Sequence, residues 1–555
     1  MPEASGRASA SFAAHERSPL LRQTSASPSD NGAIERGPDE SSNGNGNAIP
    51  IPDEPSNKRL ILTLGSCWVG VFLAALDSTI IATLTAPIST SFNSLSLLSW
   101  LASAYLIANA ALQPISGRLT DIFSRRTGLV FSNIFFCAGN LICGLAKEQW
   151  VMILGRIVAG MGGGGLVAIA TFVGSDLIPL RKRGVWQGIG NLSFGLGSGL
   201  GGVFGGWIND VWGWRIAFLV QVPFVVVSGL LVSFTVKVPV KQTETSRVKR
   251  IDFLGALALV TSLVLLLLGL NSGGNLVPWT HPLVLSTLPL SAVFLLLFIY
   301  IEDKVASEPI IPVRLLLNRT VLSACLTNWF VTMSIYGLLF YGPIYFQIKG
   351  LSTTAAGARL IPQSIGTAIG SLGSGMIMKA TGRYYYLSMA IQALLLLGGA
   401  LIATMNLGTP DWPPFIYFAL CGTSYGGMLT ITLLALISAV DHQYQAVITS
   451  ASYAFRSTGS TIGVTVASAV FQNILKRDLW QKFGDYDNAA EVIRRVRDSF
   501  DEIHHLPPGW KEGVLDSYMD AVRAVFVTSL GIAVLGTLAS LAMREHTLHN
   551  NLARK

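Results

Sequence analysis

From about residue 58 onward, apolar stretches of about twenty residues alternate with short polar, glycine-rich or basic connections, and twenty residues is the length a helix needs to cross a bilayer core. The stretches fall at roughly 60 to 82, 97 to 117, 129 to 145, 150 to 172, 186 to 207, 216 to 236 and 252 to 271. They continue at roughly 283 to 302, 321 to 342, 354 to 378, 385 to 404, 413 to 438, 448 to 470 and 522 to 542. These runs do not alternate at period two and are too long for barrel strands, so helices are the spanning structure that remains. The pattern predicts an all-α, polytopic membrane protein with about fourteen transmembrane helices.

Composition agrees. The 555 residues are 51% hydrophobic and only 13% charged, with a mean hydropathy of +0.52, well below the charge density of soluble chains. All five cysteines (Cys67, Cys137, Cys143, Cys325, Cys421) lie in apolar runs, so neither a disulfide framework nor a zinc spacing is expected. Enzyme chemistry finds no support. The glycine run Met161 to Gly165 lacks the lysine and hydroxyl of a phosphate loop, and His281, His442, His504 and His505 show no metal-ligand spacing. No cofactor and no metal is expected.

The net charge of +8 is a topology signal rather than a nucleic-acid footprint. Arg118, Arg125 and Arg126 follow the second run, and Arg181, Lys182 and Arg183 follow the fourth. Lys237, Lys241, Arg247, Lys249 and Arg250 follow the sixth, and Lys379 and Arg383 the tenth. Basic short loops stay cytosolic, which puts both termini in the cytosol.

Residues 1–57 are rich in Ser, Gly, Asn and Pro and read as a disordered cytosolic tail without a cleaved signal peptide. Within it, Glu16, Leu20 and Leu21 have the spacing of an acidic dileucine sorting signal that docks on a coat adaptor, a loose pattern that chance also produces.

A weak repeat organises the rest. Gly117 and Arg125 after the second run keep the separation of Gly375 and Arg383 after the tenth. Duplicated halves offset by eight runs rather than six imply two six-helix bundles with an extra pair between them. The expected domains are 58–236, a linker 237–302 with two extra helices, and 303–542, followed by a cytosolic C-terminus 543–555. A long loop at 471–521 lies on the non-cytosolic side, where residues 490–500 are expected to form a short amphipathic helix at the membrane surface or over the exit, with a solvated cap without a transport role as the alternative.

Asp77 is the first candidate for function. A carboxylate at the bilayer centre costs about 2.5 to 3.5 kcal/mol on insertion scales, so a span that keeps one usually uses it. The first run enters from the cytosol and the fourth from the opposite side, so Asp77 and Arg156 share the outer half of the bilayer. Proximity would let substrate arrival decide whether Asp77 keeps a proton; a static ion pair or snorkelling toward the interface is the alternative.

At this point the chain resembles the major facilitator superfamily, in its fourteen-span drug:proton antiporter branch, over about residues 60 to 542. Gly117, Leu119, Asp121, Arg125 and Arg126 match that family's loop signature, with Ile122 and Ser124 in place of its usual basic residue and glycine. The resemblance implies gating by Gly117, Asp121, Arg125 and Arg126, whose charges break and re-form contacts as bundles rock. Leu154 to Gly160 looks like the family's signature around an intramembrane arginine. In the fifth run Gly190, Gly197, Gly201, Gly205 and Gly206 resemble the antiporter signature, with Gly202 where its proline would stand. Such glycines make a flat face, expected here to pack against the other bundle.

Asn109, Gln113, Asn191, Asn328, Tyr341, Gln347, Gln363, Tyr425 and Arg456 are candidates for a polar substrate cavity, with interhelical hydrogen bonding as the alternative for each. Within the branch, Phe72 to Thr79, Ser175 to Gly184 and Phe218 to Pro223 are most similar to fungal vacuolar basic amino acid transporters. That implies a monomeric proton-coupled antiporter moving amino acids, basic ones above all, into the vacuole, with lipid, protons and a small molecule as partners and no nucleic acid. A plasma-membrane exporter of drugs or toxic metabolites shares these membrane motifs. A non-transporting amino acid receptor is the alternative of another class.

Overall fold

The computed structural model describes residues 56–92, 97–178, 180–237, 252–273, 277–306, 313–351, 353–441, 444–486, 489–498, 506 and 509–546. They form helices, with no strand among the described residues. The first seven are α1 (Asn57–Ser91), α2 (Leu97–Ile122), α3 (Arg125–Leu145), α4 (Gln149–Leu177), α5 (Leu180–Trp212), α6 (Trp214–Leu219) and α7 (Gln221–Thr235). A hairpin follows, α8 (Phe253–Ser272) and α9 (Pro282–Lys304), then a short α10 (Val313–Leu316). The remainder are α11 (Arg319–Ile348), α12 (Thr353–Ala358), α13 (Ile361–Thr381), α14 (Tyr385–Ala403), α15 (Pro413–Ser438), α16 (Gln445–Phe483), α17 (Ala489–Asp498) and α18 (Lys511–Leu541).

Two expected spans are interrupted, each beside a proline. Pro223 has no N–H for the carbonyl of Leu219, and Pro362 has none for that of Ala358, so each run restarts as a fresh helix. The halves of the repeat also turn differently after their shared motif. Gly382 caps α13 in the left-handed region at φ 69°, which favours glycine. Its counterpart Ser124 is extended and accepts a hydrogen bond from the Thr127 N–H, capping α3. A serine therefore serves where the family pattern has glycine.

Ten helical segments among the described residues are long and apolar enough to cross a membrane. α2, α5, α13 and α16 have 26, 33, 21 and 39 residues and are long enough but more polar. Their positions explain that polarity. α5 packs along α13 and α2 along α16, so these four pair the helices before residue 237 with those after 318, and their small and polar residues meet protein rather than lipid. Elsewhere α3 and α2 pack on α4, α1 on α5 and α3 on α7, while α13 and α14 pack on α15 and α11 on α16 and α18. In the hairpin, Leu267 of α8 packs with Ile107 of α2, Met333 of α11 and Ile462 of α16.

Large apolar side chains face outward, among them Phe224, Val227 and Leu230 on α7 and Leu285, Val293 and Leu296 on α9. Exposure on that scale suits lipid. The chain is a multi-pass membrane protein.

The expected loop 471–521 is shorter than its polarity suggested. α16 runs on to Phe483 and α18 begins at Lys511, so both ends of that segment are helix. α17 has the amphipathic pattern expected near 490–500, with Glu491, Arg494 and Arg495 exposed on its other face. Val492, Ile493 and Val496 are buried in the core of the C-terminal helices, and the Tyr518 hydroxyl donates to the Val496 carbonyl.

Candidate functional site

α1 and α4 bring Asp77 and Arg156 together. Arg156 Nη1 donates to Asp77 Oδ2 at 2.8 Å, with the side chains 1% and 0% exposed. Arg156 Nε donates to the Leu101 carbonyl at 3.2 Å, and its guanidinium lies 4.4 Å from the centre of the Tyr105 ring. Glycines permit this approach: a Cβ on Gly160 would meet the Tyr105 carbonyl, and one on Gly163 its hydroxyl. Asp77 Oδ1 is buried and has no hydrogen-bond partner among the described residues. A buried pair is favourable only when its remaining lone pairs are satisfied, so Oδ1 is the chemically open position. Beside Arg156, Ser78, Thr79, Ser198 and Tyr336 border a space of about 10 Å³, room for one water at most.

The basic end of the molecule is built from the repeat. Arg125 Nε pairs with Asp176 Oδ2 at 2.9 Å, and its Nη1 donates to Thr120 Oγ1 at 2.6 Å and to the Gly117 carbonyl at 3.3 Å. Asp176 belongs to a string similar to known relatives, but its role as the partner of Arg125 was not legible, because the contact joins α3 to the far end of α4. Arg126 is exposed and donates to Ser233 Oγ at 3.2 Å. The Asp121 side chain lies outside the described residues, as do Glu16, Leu20 and Leu21. A Cβ on Gly117 would strike Ser450 Oγ of α16, and one on Gly375 the Gly184 carbonyl of α5. Equivalent glycines of the repeat thus make equivalent close contacts across the pairing of α2 with α16 and of α13 with α5.

The glycine stripe of α5 packs differently from expectation. Gly197 lies against Phe72, Gly201 against Leu76 and Thr79, Gly205 against Ile80 and Thr83, and Gly190 against Trp68, all on α1. Of these motif glycines, Gly206 meets Thr354 of α12 and Gly202 meets both Thr83 of α1 and Gly357 of α12, while Gly188, Gly195 and Gly199 outside the motif meet Leu372 and Ser364 of α13. The spacing of four keeps one face, and that face belongs to the neighbour within the first six long helices.

A second cavity, of about 40 Å³, lies nearer the basic end. Trp68 and Trp186 stack on one side at 6.2 Å. Asn191 donates to Ser371 Oγ at 2.8 Å and accepts from Gln187 at 3.1 Å, and Thr171 is hydrogen-bonded to the Tyr453 hydroxyl. Arg456 lies 4.1 Å over the Tyr453 ring, and no acidic residue lines the space among the described residues. Tyr336 borders the smaller cavity and packs on the apolar cluster that includes Tyr105 and Tyr453.

The other polar candidates divide. Asn109 accepts from Ser457 at 3.0 Å, tying α2 to α16. Asn328 joins Ser452 at 3.0 Å and Thr432 at 3.2 Å, a structural knot of α11, α15 and α16. Tyr341 packs on Phe471, and neither it nor half-buried Gln347 lines either of these two cavities. Gln113 and Gln363 are buried, each with Oε1 lacking a hydrogen-bond partner among the described residues. Trp68, Trp186, Tyr336 and Tyr453 were missed because an aromatic in an apolar run gives no signal of facing a cavity.

Known proteins place this architecture. The family model described as Major Facilitator Superfamily matches residues 67–464. The "Multidrug resistance protein fnx1" of Schizosaccharomyces pombe is 39% identical over 88% of this chain and 94% of its own length. The same yeast's "Vacuolar membrane amino acid uptake transporter fnx2" is 34% identical over 84% and 81%. "Vacuolar basic amino acid transporter 2" of Saccharomyces cerevisiae is 33% identical over 83% and 99%. Among solved structures, an inward-facing, unoccupied bacterial homolog of the human lysosomal transporter Spinster superposes with a TM-score of 0.58 at 16% identity, covering 88% of this chain and 98% of that one. The multi-pass helical fold and these matches together establish that the chain belongs to the Major Facilitator Superfamily and is a transporter rather than an enzyme.

Proposed function

We propose that this transporter carries amino acids, basic ones among them, from the cytosol into the vacuole in exchange for protons. The observation that carries the reading is the buried Asp77, with one oxygen held by Arg156 and the other open. Protonation of Asp77 weakens its attraction to Arg156, so the neutral and charged forms favour different helix arrangements. Helices 58–236 and 303–542 act as two six-helix bundles, the α8 and α9 hairpin is the extra pair, and α2, α5, α13 and α16 complete fourteen spans. The basic end faces the cytosol with both termini, and Gly117, Asp121, Arg125 and Arg126 gate it. Glu16, Leu20 and Leu21 direct the monomer to the vacuole through a coat adaptor.

Uptake of labelled lysine, arginine and histidine into vacuolar vesicles tests the mechanism. Uptake should collapse with the proton gradient and in Asp77→Asn; flux that survives either change overturns it. A second reading, drug export at the plasma membrane, is favoured by the printed name of the 39% identical relative. Locating the tagged protein with and without Leu20→Ala plus Leu21→Ala separates the two addresses. Binding without flux in liposomes would instead support a receptor.

A further inference from the structure

Two cations line the 40 Å³ cavity, and they differ in what their donors do. Arg183 directs Nε and Nη2 to the carbonyls of Ser175 and Ile178 and Nη1 to Gln445 at 3.3 Å, closing the turn between α4 and α5. Arg456 stacks on Tyr453 but gives none of its donors to an acceptor among the described residues. A half-buried planar guanidinium held by an aromatic ring, with its fork free, matches a carboxylate with two parallel hydrogen bonds. The described lining supplies no carboxylate of its own, so its positive field is balanced by a ligand that brings one.

We propose that Arg456 is the anchor for the α-carboxylate of the transported amino acid, which makes the carboxylate, not the basic side chain, the feature the cavity selects. This rests on the amino acid reading given above. A lysine or arginine side chain would meet no acidic partner there; its cation is received by the faces of Trp68 and Trp186 and the oxygens of Asn191 and Thr171. In the present conformation the cavity of about 40 Å³ has room for only a few waters, so a substrate enters only as α16 moves off α2 or α13 off α5.

The test uses the full-length protein in proteoliposomes with an acidic interior, and the same protein in detergent for ligand-induced thermal shifts. Lysine, arginine and histidine compete for labelled lysine uptake and raise the melting temperature. Cadaverine, agmatine and histamine, the same molecules without the carboxylate, do so at least tenfold more weakly. Arg456→Gln erases that preference, and Arg456→Lys, which keeps the charge but loses the fork, retains part of it. Equal competition by lysine and cadaverine in the unmutated protein overturns the proposal, as does a preference that survives in a folded Arg456→Gln. Carboxylate-selective thermal shifts without flux uphold the site while overturning transport; amino acid flux without carboxylate preference does the reverse.

Discussion

Asp77 presents one carboxylate oxygen to Arg156 at 2.8 Å and leaves the other without a hydrogen-bond partner among the described residues. Removing one member of a buried ion pair strands the other and costs about 3–5 kcal/mol. Asp77→Asn should therefore lower both proton-driven uptake and the melting temperature. Pairing it with Arg156→Gln removes the stranded charge, so the double variant should regain most of its stability while its uptake stays at least tenfold down. Thermal unfolding in detergent beside vesicle flux checks both halves of that expectation.

Gly117 and Gly375 should fail differently when enlarged. The obstacle to a Cβ on Gly117 is the Ser450 side chain, whereas on Gly375 it is the Gly184 backbone. Gly117→Ala should lose transport and recover part of it when combined with Ser450→Gly. Gly375→Ala should resist rescue by any side-chain change on α5. Flux normalised to membrane abundance is the measurement.

Arg125 and Asp176 should be energetically coupled. Their side chains are 6% and 28% exposed, so water screens the pair on one side and a coupling of about 1 kcal/mol is expected. A double-mutant cycle of Arg125→Ala and Asp176→Ala on unfolding reads it, and rising salt should shrink it.

Acid should leave one outer contact intact. A hydrogen bond from Lys349 at 2.9 Å, with the nearby charges of Lys349 and Arg359, holds Asp411 below its ordinary value of 3.8. A lowered carboxyl contributes stability above its unfolded value, and that contribution disappears as pH falls through the folded value. The Lys349–Asp411 contact between the end of α11 and the loop before α15 should hold at pH 5 and weaken only in stronger acid, while Asp411→Asn weakens it at every pH and leaves the bond from Lys349 to the Thr409 carbonyl at 2.6 Å. Chemical cross-linking between Lys349 and Asp411 across a pH series reports this.

Glu545 fastens the end of the described chain. Its oxygens accept from the backbone N–H groups of Tyr384 at 2.7 Å and Tyr385 at 3.0 Å, a carboxylate at the start of α14. Glu545→Ala should cost about 1 kcal/mol and speed hydrogen exchange in the first turn of α14.

Element type was readable because lipid demands long apolar runs, and the chemistry of Asp77 and Arg156 was readable because charge in such runs is costly. What escaped was everything decided by which helix neighbours which. Periodicity marks the α5 glycines as a packing face but not α1 as the occupant. A polar segment such as 471–483 reads as loop when it is a helix continuing past the membrane, and Asp176 gains meaning only through the distant Arg125.

α16 is one uninterrupted helix of 39 residues, about 58 Å long at 1.5 Å per residue. Its first turns touch Gly117 and carry Arg456, and its last turns carry the seat of α17. A tilt of roughly 10° about the Arg456 level displaces the far end by several ångströms as a lever arm does. A spectroscopic label on α17 would thus act as a distant pointer, reading the position of a cavity it never touches.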